Sequence, residues 1–146
     1  MDPKTLVRTY VERVWNGGDA AAVDELVAED YVAHDPADPA PVRGREALKA
    51  LVRGYRASFP DLVNTIHAQV AEGDLVATRW SSTGTHQGPA FGLEATGHRR
   101  DVTGMMFIRI QGGQVAEEWH NWDTIGLLRQ LGGLPAGTPG TPGTEA

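Results

Sequence analysis

Residues 102–123 read VTGMMFIRIQGGQVAEEWHNWD, and the reading of this stretch decides the fold. Val102 to Ile110 and Val115 to Trp122 are two runs rich in β-branched and aromatic residues. Gln111-Gly112-Gly113-Gln114 between them is hairpin chemistry, because adjacent glycines accept the positive φ angles of the favoured two-residue turns. Working backwards, Leu75 to Thr85, which contains Trp80, is a further strand. Glu72-Gly73-Asp74 is turn chemistry leading back to Val63 to Ala71. There Ile66, Ala68 and Val70 alternate with Thr65, His67 and Gln69, the pattern of a half-buried strand. Residues 87–97 form a glycine-bearing connection. Beyond the hairpin, Asp123 or Thr124 caps a short helix running through Leu131.

The first part of the chain has a different texture. Asp2-Pro3 opens a helix whose stripe is Leu6, Val7, Tyr10, Val11, Val14 and Trp15, and Gly17-Gly18 ends it. Asp19 caps a shorter helix with Val23, Leu26 and Val27 on its apolar side. Tyr31 to Pro41, with Pro36, Pro39 and Pro41, reads as an irregular loop. A third helix follows Gly44, presents Leu48, Leu51, Val52, Tyr55 and Phe59, and stops at Pro60. Helices first and antiparallel strands after is the α+β pattern. The expectation is a curved antiparallel sheet of about four strands packed on three N-terminal helices, a cone-shaped α+β barrel with a central pocket. The domain is expected to span 1–134, with 135–146 a disordered Gly/Thr/Pro tail.

A chain of 146 residues matches one domain of ordinary size. It contains no cysteine, which removes disulfides, thiolate metal ligands and cysteine nucleophiles together. A net charge of -6 with scattered basic residues argues against a nucleic-acid partner or an anionic membrane surface. No apolar run approaches the ~20 residues of a membrane span. The start of the chain does not read as an export signal, so the expected location is cytoplasmic. The histidines lack the short ligand spacing of a metal site. No strand–glycine–helix element offers a dinucleotide cradle, and Ser58, Ser81 and Ser82 lie in no nucleophile elbow. No metal or cofactor is expected.

The order of these pieces resembles the SnoaL-like branch of the nuclear-transport-factor-2-like superfamily. The matching motifs are Val14-Trp15-Asn16-Gly17-Gly18-Asp19, Glu29-Asp30-Tyr31 and Phe59-Pro60-Asp61-Leu62. The end of the chain adds Ile108-Arg109-Ile110, Glu118-Trp119-His120-Asn121-Trp122-Asp123, Gly126 and Arg129-Gln130-Leu131-Gly132. The resemblance implies an ester cyclase that closes a ring by an intramolecular aldol reaction without a cofactor. It implies a base that removes the proton next to a carbonyl inside an apolar cavity. By the same resemblance, Asp123 matches the second of two aspartates, and His120 stands where the catalytic aspartate would be. Met106 stands near the position of an assisting histidine, and Trp15 falls on a pocket-lining aromatic.

The residues themselves support acid–base chemistry at the same place. Alternation puts Ala116, Glu118 and His120 on one face of the last strand, with Val115, Glu117 and Trp119 on the other. If the first face is concave, a carboxylate and an imidazole point into one cavity, His120 as base and Glu118 orienting it. The alternative is an outer face on which the two pair with each other or with Arg109. Asp123 is either a third catalytic group or the cap of the last helix. His34 and Asp35 lie in a loop that either folds over the cavity mouth or stays solvated. Candidate substrate contacts are Trp15, His34, Tyr55, Trp80, Met106 and Ile108.

Two other functions fit the same fold. An epoxide hydrolase would need an arginine, Arg79 or Arg109, opposite Asp123. A non-catalytic binding or interaction domain would have a cavity with apolar walls only. The expected ligand is a small apolar, polyketide-like molecule, and a homodimer through the convex face carrying Val115 and Trp119 is expected.

Overall fold

Asp2 opens α1 (Pro3–Tyr10) by accepting a hydrogen bond from the Thr5 backbone N–H at 3.1 Å. The helix then widens into a π-helical segment, Val11–Asn16, which ends at Gly17 and Gly18. Asp19 caps α2 (Ala20–Leu26) through the N–H of Ala22. The chain continues as β1 (Val27–His34) and β2 (Val42–Arg43), then α3 (Arg45–Ser58). β3 (Val63–Glu72), β4 (Leu75–Thr85), β5 (Arg99–Gln111) and β6 (Gln114–Trp122) follow, and α4 (Thr124–Gln130) closes the order. This computed structural model describes residues 1–134, so the expected tail at 135–146 lies outside the described residues.

The α+β architecture is the expected one, with a larger sheet. Six strands run in the order β2-β1-β6-β5-β4-β3. β1 pairs parallel with β6, and every other pairing is antiparallel. Reading Tyr31 to Pro41 as one irregular loop therefore misses β1, and Val27 begins this strand instead of ending α2. The order does not return on itself, so the sheet is open, with β2 and β3 as its edges. The expectation of a barrel is corrected to a curved, unclosed mixed sheet.

Leu6, Val7, Tyr10, Val14, Val23, Leu26, Leu48 and Val52 from the helices pack on Val76, Ile108, Ile110 and Val115 of the strands. A second cluster joins Phe59, Leu62 and Val102 to Leu127 and Leu131 of the last helix region. Trp15 and Trp80 touch both clusters.

The position of Val115 corrects the alternation argument. Ile110 faces Val115 while Arg109 faces Glu117, so β6 holds one extra residue, Ala116, at a bulge. The bulge resets the period. Val115 is fully buried beside Ile110, and the inward set is Val115, Glu118, His120 and Trp122. The outer face carries Met105, Phe107, Glu117 and Trp119, without Val115.

Candidate functional site

The concave face of the sheet and the helices enclose a cavity of about 220 Å³. Its wall is built from every part of the fold. Tyr10, Val11 and Trp15 come from the first helix, Tyr55 from α3, Trp80 and Ser82 from β4, and Arg100, Val102 and Met106 from β5. β6 contributes Glu118, His120 and Trp122, while Asp35, Ala37, Asp38 and Ala40 from the proline-rich loop form part of the rim.

The π-helical turn explains how two of these side chains meet. In an α-helix, residues five apart point in different directions, but the wider π turn brings them onto one side. Trp15 Nε1 donates to the Tyr10 hydroxyl at 3.2 Å, and both line the cavity. Gly104 performs a similar service on β5. A Cβ there would lie 2.5 Å from Cζ2 of Trp80 and 2.8 Å from Cβ of Trp122, so only glycine lets the Trp80 ring cross the strand.

At the floor lies a buried acid–base pair. Glu118 is fully buried, and its Oε2 lies 2.6 Å from Nε2 of His120. Burial opposes the charged imidazole, but the hydrogen bond and charge of Glu118, with a contribution from Asp35, raise its pKa above the ordinary histidine value. Nδ1 of His120 has no hydrogen-bond partner among the described residues. Tyr10 and Tyr31 flank the carboxylate, and burial first, then the charge of Glu118, pushes both phenols well above their ordinary pKa. Oε1 of Glu118, the Tyr31 hydroxyl and Trp80 Nε1 are buried without a protein partner.

The loop after β1 is anchored to this wall. Trp122 Nε1 donates to Oδ2 of Asp35 at 2.8 Å. Above it Phe91 adopts a φ of 54°, unusual for a bulky residue, and its ring lies 6.1 Å from Trp122 and 6.2 Å from Tyr55.

Of the residues singled out from sequence, Trp15, Tyr55, Trp80, Met106, Glu118 and His120 come together around the cavity. Three do not. His34 points to the outer side, where Nε2 lies 2.8 Å from Glu117 and the ring stacks on Trp119. Ile108 faces inward but is sealed in the helix–sheet core. Asp123 accepts the Gly126 N–H at 2.8 Å and caps α4. Neither arginine expected for epoxide opening stands on the cavity wall. Arg79 is exposed, and Arg109 pairs with Glu117 at 3.2 Å on the outer face.

Sequence reasoning missed Tyr10, Tyr31, Phe91, Arg100 and Trp122 as wall residues. The apolar stripe of the first helix contains both Tyr10 and Trp15, but an α-helical reading does not bring the two side chains into contact. Arg100 shares the inward face with Val102 and Met106, but β5 begins three residues before the expected start, which left Arg100 in a loop. Among the described residues, no group of three or more histidine, aspartate or glutamate side chains is arranged to hold a metal ion. No helix among them is long and apolar enough to cross a membrane.

Comparison with known proteins agrees with this fold. The family model described as SnoaL-like polyketide cyclase matches residues 5–131. The chain is 31% identical over 130 residues to aklanonic acid methyl ester cyclase DnrD of Streptomyces peucetius, covering 87% of this chain and 88% of that protein. TsrD from Streptomyces laurentii superposes with a TM-score of 0.79 at 31% identity, covering 90% of this chain and 95% of TsrD. IdmH from Streptomyces antibioticus does so with a TM-score of 0.78 at 33% identity, over 90% of this chain and 99% of IdmH.

Proposed function

The chain belongs to the SnoaL-like polyketide cyclase family, and on that premise we propose that it closes a ring in a small, apolar, polyketide-like ester by cofactor-free acid–base chemistry. The observation that carries this reading is the buried Glu118–His120 pair on the wall of an otherwise mostly aromatic and aliphatic cavity. Glu118 accepts the Nε2–H of His120, which leaves the lone pair on Nδ1. Nδ1 takes the proton from the carbon next to a carbonyl, and the electron pair of that C–H bond becomes an enolate. The enolate carbon bonds to a second carbonyl carbon of the same molecule, and the resulting alkoxide recovers the proton from the imidazolium. Atoms and electrons balance without an oxidant, reductant or second substrate. Glu118 stabilises the imidazolium formed midway. Trp80 Nε1–H is a buried donor without an acceptor, suited to the enolate oxygen.

The name of DnrD supplies the first substrate to try, aklanonic acid methyl ester. Turnover of that ester by the wild-type chain and its loss in His120→Gln, under conditions where circular dichroism shows the variant folded, is the expected result. Undiminished turnover in the variant would sink the assignment of the base.

The assembly proposed with this activity is a homodimer. Met105, Phe107 and Trp119 are 63%, 50% and 37% exposed side by side on the outer face of β5 and β6, an apolar surface that a second copy would cover.

A further inference from the structure

Arg100 is the one strongly buried cation on the cavity wall, at 4% exposure. It points inward from β5 on the same side as Val102 and Met106. Its guanidinium carbon lies 4.5 Å above the Phe59 ring centroid, which covers one face of the group. Yet Arg100 has no hydrogen bond or ion pair among the described residues, and its Nε is buried without a partner. A buried charge of this kind is strongly unfavourable unless something else pairs with it. Stacking on an aromatic face is attractive but satisfies none of the five N–H donors. The desolvated environment lowers its pKa to about 10 against the opposing influence of Tyr55, Asp61 and Asp101, so Arg100 remains charged at neutral pH.

Its place in the cavity is as informative as its charge. Met106 faces His120 across the β5–β6 pairing, and Arg100 enters six residues earlier on β5. That separation is roughly 20 Å along the strand, at about 3.3 Å per residue. Arg100 therefore stands toward the end of the cavity remote from the acid–base pair. Ser82 and Tyr55, both on the wall, accompany it, and Ser82 pairs with Val102 next along the inward face.

We propose that Arg100 is an anion-binding subsite, so that the ligand carries an ionised oxygen at the end remote from the Glu118–His120 pair. This deepens the cyclase reading by naming a feature of the substrate, and rests on it only in using the same cavity. A carboxylate and an ionised enol or phenol share the required chemistry, since either accepts the charge-assisted N–H bonds of a guanidinium.

Calorimetric titration with two pairs of probes separates the sources. One pair is naphthoate and its methyl ester, and the other is the hydroxynaphthoquinone lawsone, ionised at neutral pH, and its methyl ether. The anion in at least one pair is expected to bind about tenfold or more tightly than its neutral partner, a gap typical of one charge-assisted contact. The pair that shows the gap identifies the oxygen. Arg100→Met should remove the preference while leaving the Kd of the neutral probe within about twofold, and Arg100→Lys should retain part of it. Equal affinities in both pairs for the wild-type chain overturn the proposal, whether or not the variants fold. A preference that survives in Arg100→Met overturns it as well. His120→Gln should keep the preference, so failure of the base and failure of the subsite give different patterns.

Discussion

Oε2 of Glu118 lies 2.6 Å from Nε2 of His120, with the carboxylate fully buried and the imidazole at the cavity wall. Such a pair holds the imidazole in one orientation and tautomer. Because Glu118 outweighs the effect of burial, the pKa of His120 stands above the ordinary value of about 6.5. The neutral, proton-accepting form then prevails only at higher pH.

The activity profile should report that shift. The rate should rise with pH along an acidic limb whose midpoint lies above the ordinary histidine value. In Glu118→Gln the midpoint should move down, since the charge that raises the pKa is gone. A pH–rate series on both proteins checks this, and an unmoved midpoint would contradict the coupling.

Stability should follow the same group with a definite sign. A folded pKa raised above the unfolded one contributes stability that is fully present below about pH 6.5. That contribution is lost as pH rises through the raised folded value. The melting temperature of the wild-type chain relative to His120→Gln should therefore be more favourable at about pH 5.5 than at about pH 9. His120→Ala is harsher, because it leaves Glu118 buried without its partner. A loss of about 3–5 kcal/mol by denaturant titration is expected.

Gly104→Ala should damage both fold and site. The added methyl would meet the Trp80 ring at 2.5 Å and Cβ of Trp122 at 2.8 Å. Overpacking of this kind costs about 1–3 kcal/mol, and relief by pushing Trp80 inward would weaken ligand binding. Denaturant titration and probe binding by the same variant measure the two effects.

Asp123→Ala should behave differently. It removes a helix cap and should cost about 1 kcal/mol, with a rate per folded molecule equal to wild type. A loss of turnover far beyond the loss of stability would restore a catalytic role to this residue.

The dimer is open to a direct check. Light scattering should give a particle of twice the 15.7 kDa of one chain, and Phe107→Glu should reduce it to a single chain. A wild-type particle of one chain would remove the proposed interface.

Local signals account for what could be read in advance. The double-glycine turn at Gly112 and Gly113 takes φ values of 58° and 74°, as the hairpin chemistry requires. Asp2, Asp19 and Asp123 each cap the helix that follows them. What escaped reading depends on distant parts of the chain. β1 exists because residues 27–34 find β6 as a parallel partner, a pairing that leaves no turn or repeat in the sequence. The three prolines after it are true breakers, and they mask the strand that precedes them. Glu118 and His120 were identifiable as neighbours on one face, but the bulge at Ala116 could not be read from alternation, so Val115 fell on the wrong side. Arg100 and Tyr10 were hidden by a late strand start and a π turn. Both are departures from ideal periodicity at the cavity itself.

The most direct test of the central claim is proton exchange at the carbon next to the carbonyl of aklanonic acid methyl ester, followed by NMR in deuterated water. The wild-type chain should wash out that proton, or cyclise the ester, faster than buffer alone, and His120→Gln should be slower by about a hundredfold or more. Exchange no faster than buffer with the wild-type chain, or an equal rate in the variant, would contradict the assignment of His120 as the base.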